Sequence, residues 1–155
     1  MKNIIFSAFL LTALSCSLSA YDVEKAAHIE KFYAPMSQKV LANSKLFVSA
    51  EDFLSMARAN KEMLLLDVRT PGEHSILKAS YEQSLHIPIN ELFQKQNLDR
   101  LPKNKPIIVI CHSGTRGLLA AADLLQIGFK DIHVLKGGFV ALAQATTVKD
   151  APLAP

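Results

Sequence analysis

A cysteine that follows a short apolar run is the residue of this sequence best suited to covalent chemistry. The run Ile107–Ile110 leads into Cys111, and the residues after it are His112, Ser113, Gly114, Thr115 and Arg116. Glycine permits a tight curl in which backbone N–H groups face inward, and the start of a following helix adds its positive end. Such a loop would hold an anion and stabilise a thiolate, with Arg116 as a permanent cation. The pattern therefore predicts a nucleophilic Cys111.

Other roles for these residues are less well supported. A free cysteine at a strand end is often only a small buried hydrophobic residue, but that does not account for the glycine and arginine that follow Cys111. His112 is expected to line the rim of the loop rather than act as a general base, because adjacent residues leaving a strand point in different directions. The 5 histidines show no ligand spacing and there is no C-x-x-C pair, so no metal or other cofactor is expected.

The pattern of strands and helices predicts how this loop is positioned. Strands are predicted at residues 46–48, 63–68, 85–87, 106–110 and 132–135. Helices are predicted at residues 49–59, 90–93, 115–126 and 139–145, with Gly137-Gly138 as a turn. Strands that alternate with helices indicate an α/β fold, with a mainly parallel central sheet and helices on both faces. In such a sheet, sites are built at the carboxyl ends of the strands, which is where Cys111 falls.

Composition fits one globular domain rather than a fibrous or disordered chain. The 155 residues are 50% apolar and 20% charged, with a formal net charge of +3. This is enough apolar material for a proper core. Lysines and arginines are dispersed rather than gathered into a stripe, so nucleic acid is not an expected partner.

The first 20 residues have the build of a secretory signal. Lys2 precedes an uncharged run whose apolar centre, residues 4–14, is shorter than the ~20 residues that cross a bilayer. Cleavage after Ala20 would release a periplasmic domain. Alternatively, residues 12–16 resemble a loose lipobox, and a lipid on Cys16 would tether the domain to a membrane. Either route exports the chain and leaves Cys16 unable to pair with Cys111.

Several ordered motifs resemble the rhodanese family. They are D-V-R-T-P-G-E at 67–73, H-I-P at 86–88, E-L at 91–92, C-H-S-G-T-R at 111–116 and L-K-G-G-F at 135–139. The resemblance covers about residues 46–145 and implies a single rhodanese-like domain. The chain is accordingly divided into a signal peptide (1–20), an N-terminal helical extension (21–45), the rhodanese domain (46–145) and a flexible tail (146–155).

The resemblance implies a sulfurtransferase. Cys111 would take a sulfane sulfur from a small sulfur-containing anion such as thiosulfate, hold it as a persulfide, and pass it to cyanide or a thiol acceptor. The remaining loop residues would bind substrate and stabilise the thiolate and persulfide: His112, Ser113, Gly114, Thr115 and Arg116. Asp67 and Arg69 correspond to a supporting ion pair, although a purely structural pair at a strand end is an equal alternative.

The segment after the D-V-R-T-P-G-E motif departs from the family pattern. The family commonly continues with G-H-I-x-G-A, whereas residues 75–84 lack those glycines and that histidine. Substrate access and donor preference are therefore expected to differ here.

The sequence leaves two rival functions open. One is a non-catalytic sulfur-carrier or binding module for a partner protein. The other is a cysteine phosphatase or arsenate reductase-like enzyme, but those enclose five residues between cysteine and arginine, whereas Cys111 and Arg116 enclose four.

Overall fold

The computed structural model describes residues 20–150, apart from the side chains of Leu41 and Val148. Nearly all of the predicted signal peptide and the last five residues lie outside this part of the chain. The described part of the chain divides into two units between Pro35 and Met36. In the first unit, helix α1 (Val23–Tyr33) begins where the side chain of Asp22 accepts a hydrogen bond from the Lys25 N–H. The second unit contains the predicted nucleophile.

The second unit is built on one five-stranded sheet in which every pair of neighbouring strands is parallel. The strands are β1 (Phe47–Val48), β2 (Leu64–Asp67), β3 (Ser84–His86), β4 (Ile107–Ile110) and β5 (Ile132–Leu135). Their spatial order is β1-β5-β4-β2-β3. The helices are α2 (Gln38–Ala42), α3 (Ala50–Arg58), α4 (Pro71–Ile76), α5 (Ile89–Leu92), α6 (Lys95–Leu98), α7 (Thr115–Gln126) and α8 (Gly138–Ala145). The predicted parallel α/β fold is confirmed.

The core lies on both faces of the sheet, because the central strands β2 and β4 are buried along their whole length. On one face, Val109 packs in a cluster with Leu124 of α7. On the other face, Ile110 packs with Phe53 of α3 and Leu142 of α8. Alternate residues of a strand point to opposite faces, so the continuous apolar run of β4 fills both layers. Cys111 thus follows a strand that is fixed from every side.

Within residues 46–145, two α-helices were not predicted from the sequence, and one of them bears on the site. Helix α4 begins at Thr70, whose side chain accepts from the Glu73 N–H while the Glu73 carboxylate accepts from the Thr70 N–H. This reciprocal capping box, followed by proline at the first helical position, is a recognisable start signal in T-P-G-E. The other unpredicted helix, α6, has no side-chain cap.

The segment that departs from the family pattern is held by its own contacts. The Tyr81 ring packs edge-on against Phe53 at a centroid distance of 5.6 Å. Its hydroxyl lies 3.4 Å from the Met63 carbonyl oxygen.

The segment beyond α8 was predicted to be a flexible tail. There, Val148–Asp150 form a short 3-10 helix, and Asp150 is ion-paired with Arg58.

Candidate active site

The Cys111 loop, residues 111–114, follows the central strand β4 and leads directly into α7. Cys111 is only 1% exposed, and its Sγ accepts a hydrogen bond from the Gly114 N–H at 3.1 Å. Gly114 has φ +110°, a left-handed conformation that glycine adopts readily. The loop thereby turns a backbone donor onto the sulfur, as the sequence predicted.

The rest of the loop offers donors and an exposed rim. No side chain caps α7, and the N–H groups of Ser113, Thr115 and Arg116 have no acceptor within residues 20–150. The residues His112, Ser113 and Thr115 are exposed, whereas Arg116 is half-buried. An anion that approached Cys111 would therefore meet free backbone donors at a helix start.

The first residues of α8 hold the backbone of this loop. The Phe139 N–H donates to the Cys111 carbonyl at 2.8 Å, and the Val140 N–H donates to the His112 carbonyl at 3.1 Å. Gly138 precedes them with φ +59°, and a Cβ at that position would lie 2.5 Å from the Cys111 carbonyl oxygen. Gly137-Gly138 was predicted only as a turn. The close approach has no local signal, because the packing of two distant segments creates it.

Arg116 is held by the carboxylate of Glu73, which was not among the predicted site residues. Its Nη1 donates to Glu73 Oε2 at 2.8 Å and its Nη2 donates to Glu73 Oε1 at 2.6 Å. Glu73 Oε2 also accepts from the N–H and the hydroxyl of Thr70, both at 2.9 Å. These bonds, led by the one from Arg116, lower the pKa of Glu73 far below its usual value, and Glu73 in turn raises the pKa of Arg116. The capping box of α4 therefore fixes the partner of the loop arginine.

The predicted pair of Asp67 and Arg69 is present and buried. Arg69 Nε donates to Asp67 Oδ1 at 2.9 Å, and Arg69 Nη2 donates to Asp67 Oδ2 at 2.7 Å. Burial raises the pKa of Asp67, but hydrogen bonds from Arg69 and His74 outweigh it and leave that pKa below its ordinary value. The guanidinium lies 3.9 Å from the centre of the Phe139 ring. Through Phe139, the pair supports the same α8 start that binds the Cys111 carbonyl.

Two histidines extend this network, and neither was predicted to take part. His74 Nδ1 lies 3.0 Å from Asp67 Oδ2, and its ring stacks on the ring of His86 at 4.0 Å and 8°. His86 Nε2 lies 2.9 Å from the Arg69 carbonyl oxygen. The two rings connect α4 to β3, so the element that carries Glu73 is tied to the sheet at a second point.

Acid should weaken the fold through these carboxylates. Because the folded-state pKa values of Asp67 and Glu73 are lowered, their stabilisation is complete above their unfolded pKa values, near pH 4, and is lost as the pH falls further. We expect the free energy of unfolding, measured by urea titration, to fall between about pH 4 and pH 2.

The dependence on pH should be less steep in Glu73→Gln, because one of the two linked carboxylates is gone. Glu62→Gln, which removes an exposed carboxylate just before β2, is the matched control. An equally steep loss of stability in wild type and Glu73→Gln would contradict the assignment.

Between residues 20 and 150, no cluster of histidine, cysteine, aspartate or glutamate is suited to bind a metal ion. Within the same described part of the chain, no helix has the length and apolar character needed to span a membrane.

This chain is similar in sequence and fold to known proteins of one family. The sequence profile of the rhodanese-like domain matches residues 49–145. A sulfurtransferase from Allochromatium vinosum is 28% identical over 97 residues, which cover 63% of this chain and 87% of that protein. A thiosulfate sulfurtransferase, GlpE, from Pseudoalteromonas translucida is 29% identical over 93 residues, covering 57% of this chain and 81% of that protein. The crystal structure of a rhodanese-related protein from Thermoplasma volcanium aligns with a TM-score of 0.54 and 31% identity, covering 63% of this chain and 89% of that one.

Proposed function

The chain belongs to the rhodanese-like family, and from that premise we propose that it transfers sulfane sulfur through a persulfide on Cys111. The proposed donor is thiosulfate or a similar small anion, and the proposed acceptor is cyanide or a thiol. The observation that carries the proposal is the hydrogen bond from the Gly114 N–H to Cys111 Sγ, in a loop whose other amide donors are free for an anion. Hydrogen bonds of this kind favour a negatively charged sulfur.

Each half of the reaction is a displacement at sulfur. The Cys111 thiolate attacks the outer sulfur of thiosulfate, a bond forms between the two sulfurs, and sulfite leaves with the electron pair of the broken bond. The acceptor then attacks the outer sulfur of the persulfide, and Cys111 leaves as a thiolate. The same loop donors serve both halves, because Sγ carries the negative charge before and after the transfer and the outer sulfur of the persulfide carries it in between.

Two measurements on the full chain test this function. Purified protein is incubated with thiosulfate, and its intact mass and peptide masses are recorded. We expect a gain of one sulfur atom on the peptide that contains Cys111. Cyanide is then added, and we expect the extra mass to disappear as thiocyanate forms over many turnovers. A parallel assay with an aryl phosphate should release no phenol, because the loop from Cys111 to Arg116 is one residue shorter than that of the phosphatases.

The outcomes separate the alternatives. A persulfide that forms but does not turn over with cyanide or a small thiol would favour the sulfur-carrier module. Hydrolysis of the aryl phosphate without any gain of sulfur would favour the phosphatase. Absence of both the added sulfur and thiocyanate would refute the proposal.

A further inference from the structure

The fixed cation of the Cys111 loop is neutralised inside the protein. Both terminal nitrogens of Arg116 are bonded to the two oxygens of Glu73. Each of these side chains is 31% exposed, so the pair is partly shielded from water. An arginine in a bidentate ion pair presents less net positive charge to an incoming anion than an unpaired arginine does.

The carboxylate of Glu73 is also unable to swing aside freely. Its Oε2 is bound by the Thr70 N–H and the Thr70 hydroxyl, so breaking the contact with Arg116 would leave Glu73 where it is. The second arginine linked to the loop, Arg69, is paired with Asp67 in the same manner. The site therefore gains its attraction for anions mainly from backbone dipoles rather than from a net positive charge.

This charge balance distinguishes two classes of sulfur donor. Thiosulfate carries two negative charges, and it must approach a Cys111 thiolate that carries a third. A persulfide of a small organic thiol carries one negative charge at most. Because Glu73 cancels the charge of Arg116, no net positive side-chain charge of this pair offsets the repulsion from the thiolate. That repulsion acts twice as strongly on thiosulfate as on the organic persulfide.

Resting on the proposed sulfur-transfer function, we propose that Glu73 sets the donor preference of this site, and that the favoured donor class is the singly charged organic persulfide rather than thiosulfate. In the reaction, the Cys111 thiolate attacks the outer sulfur of R–S–S⁻. The bond between that sulfur and the R–S sulfur breaks, R–S⁻ leaves with the electron pair, and Cys111 holds the persulfide. R–S⁻ then takes a proton from water. No oxidant or reductant is consumed.

The test compares Glu73→Gln with wild type on both donors. Glutamine retains an oxygen for the Thr70 cap and removes the charge, so α4 is preserved. Using the full chain, kcat/KM is measured for thiosulfate and for an alkyl persulfide, with cyanide as the common acceptor. We expect wild type to prefer the persulfide, and Glu73→Gln to raise the ratio of thiosulfate to persulfide kcat/KM about tenfold. High salt should shrink that change, since added ions screen the charges.

A control variant and three contrary results test the role given to Glu73. Glu62→Gln removes an equal charge just before β2, at the amino end of the strand and so at the edge of the sheet opposite Cys111, and should leave the ratio unchanged. If Glu73→Gln lowers kcat/KM equally for both donors, Glu73 merely orients Arg116 and the proposal on donor preference is overturned. Transfer with an unchanged ratio would overturn it as well. Failure of wild type to accept sulfur from either donor would refute the proposed function, and this inference with it.

Discussion

Replacing Cys111 with serine is expected to reduce thiosulfate:cyanide sulfur transfer by on the order of 10⁴-fold or more, the scale seen when a nucleophile is removed from an enzyme that depends on it. A serine hydroxyl stays protonated at neutral pH and cannot carry a sulfane sulfur as a persulfide. The fold should survive, because serine is close in size to cysteine and its oxygen can still accept from the Gly114 N–H. Steady-state kinetics and intact mass would show the loss, and thermal unfolding would show the retained fold.

The sequence offers a matched control for this substitution. Cys16 is the other cysteine of the chain, and it lies outside the described residues. The Cys16→Ser full chain should transfer sulfur at the wild-type rate and gain one sulfur atom from thiosulfate. Transfer that survives in Cys111→Ser, or that is lost in Cys16→Ser, would show that Cys111 is not the sulfur carrier.

Replacing Gly138 with alanine is expected to damage both stability and activity. At φ +59° an alanine is strained, and its Cβ would lie 2.5 Å from the Cys111 carbonyl oxygen and 2.7 Å from that of His112. Neither atom can move alone, because both belong to the loop backbone that α8 binds. We expect the free energy of unfolding to fall by about 2–4 kcal/mol. We expect kcat/KM to fall by about 10²-fold, the cost of a small misplacement of reacting groups.

Gly72→Ala is the control for a glycine that is not constrained. A Cβ at Gly72 would meet no atom within 4 Å, and the residue lies in the first turn of α4. This variant should stay within about 0.5 kcal/mol of wild type and retain sulfur transfer. The role given to Gly138 would be wrong if Gly138→Ala unfolded at the same urea concentration as wild type and kept its rate.

Most of the fold could be predicted from local pattern. The apolar run of β4 and the glycine that follows α7 mark their elements directly, because burial on both faces and helix termination leave local signals. The start of α4 was equally visible in T-P-G-E, yet its residues were taken only as part of a family motif. For α6, no capping side chain marks the start of the helix. Such a short helix forms only through contacts with neighbouring segments of the same chain.

The site was predicted less completely, for a physical reason. Cys111 and Arg116 are neighbours in sequence, so their grouping needs no knowledge of the fold. The partner of Arg116 is Glu73, which lies 43 positions away along the chain, and the contact of Gly138 with the Cys111 carbonyl likewise joins distant segments. Contacts of this kind depend on which strands are adjacent in the sheet. The order β1-β5-β4-β2-β3 cannot be predicted from local sequence patterns.

The position of β4 also bears on how the site responds to fluctuations. β4 pairs with β2 on one side and with β5 on the other, and all four of its residues are buried. Backbone amides in such a strand exchange with solvent only when the whole domain opens, whereas edge elements open locally at lower cost. The nucleophile is thus attached to the last segment to come apart, and partial opening at the edges of the sheet leaves its loop in place.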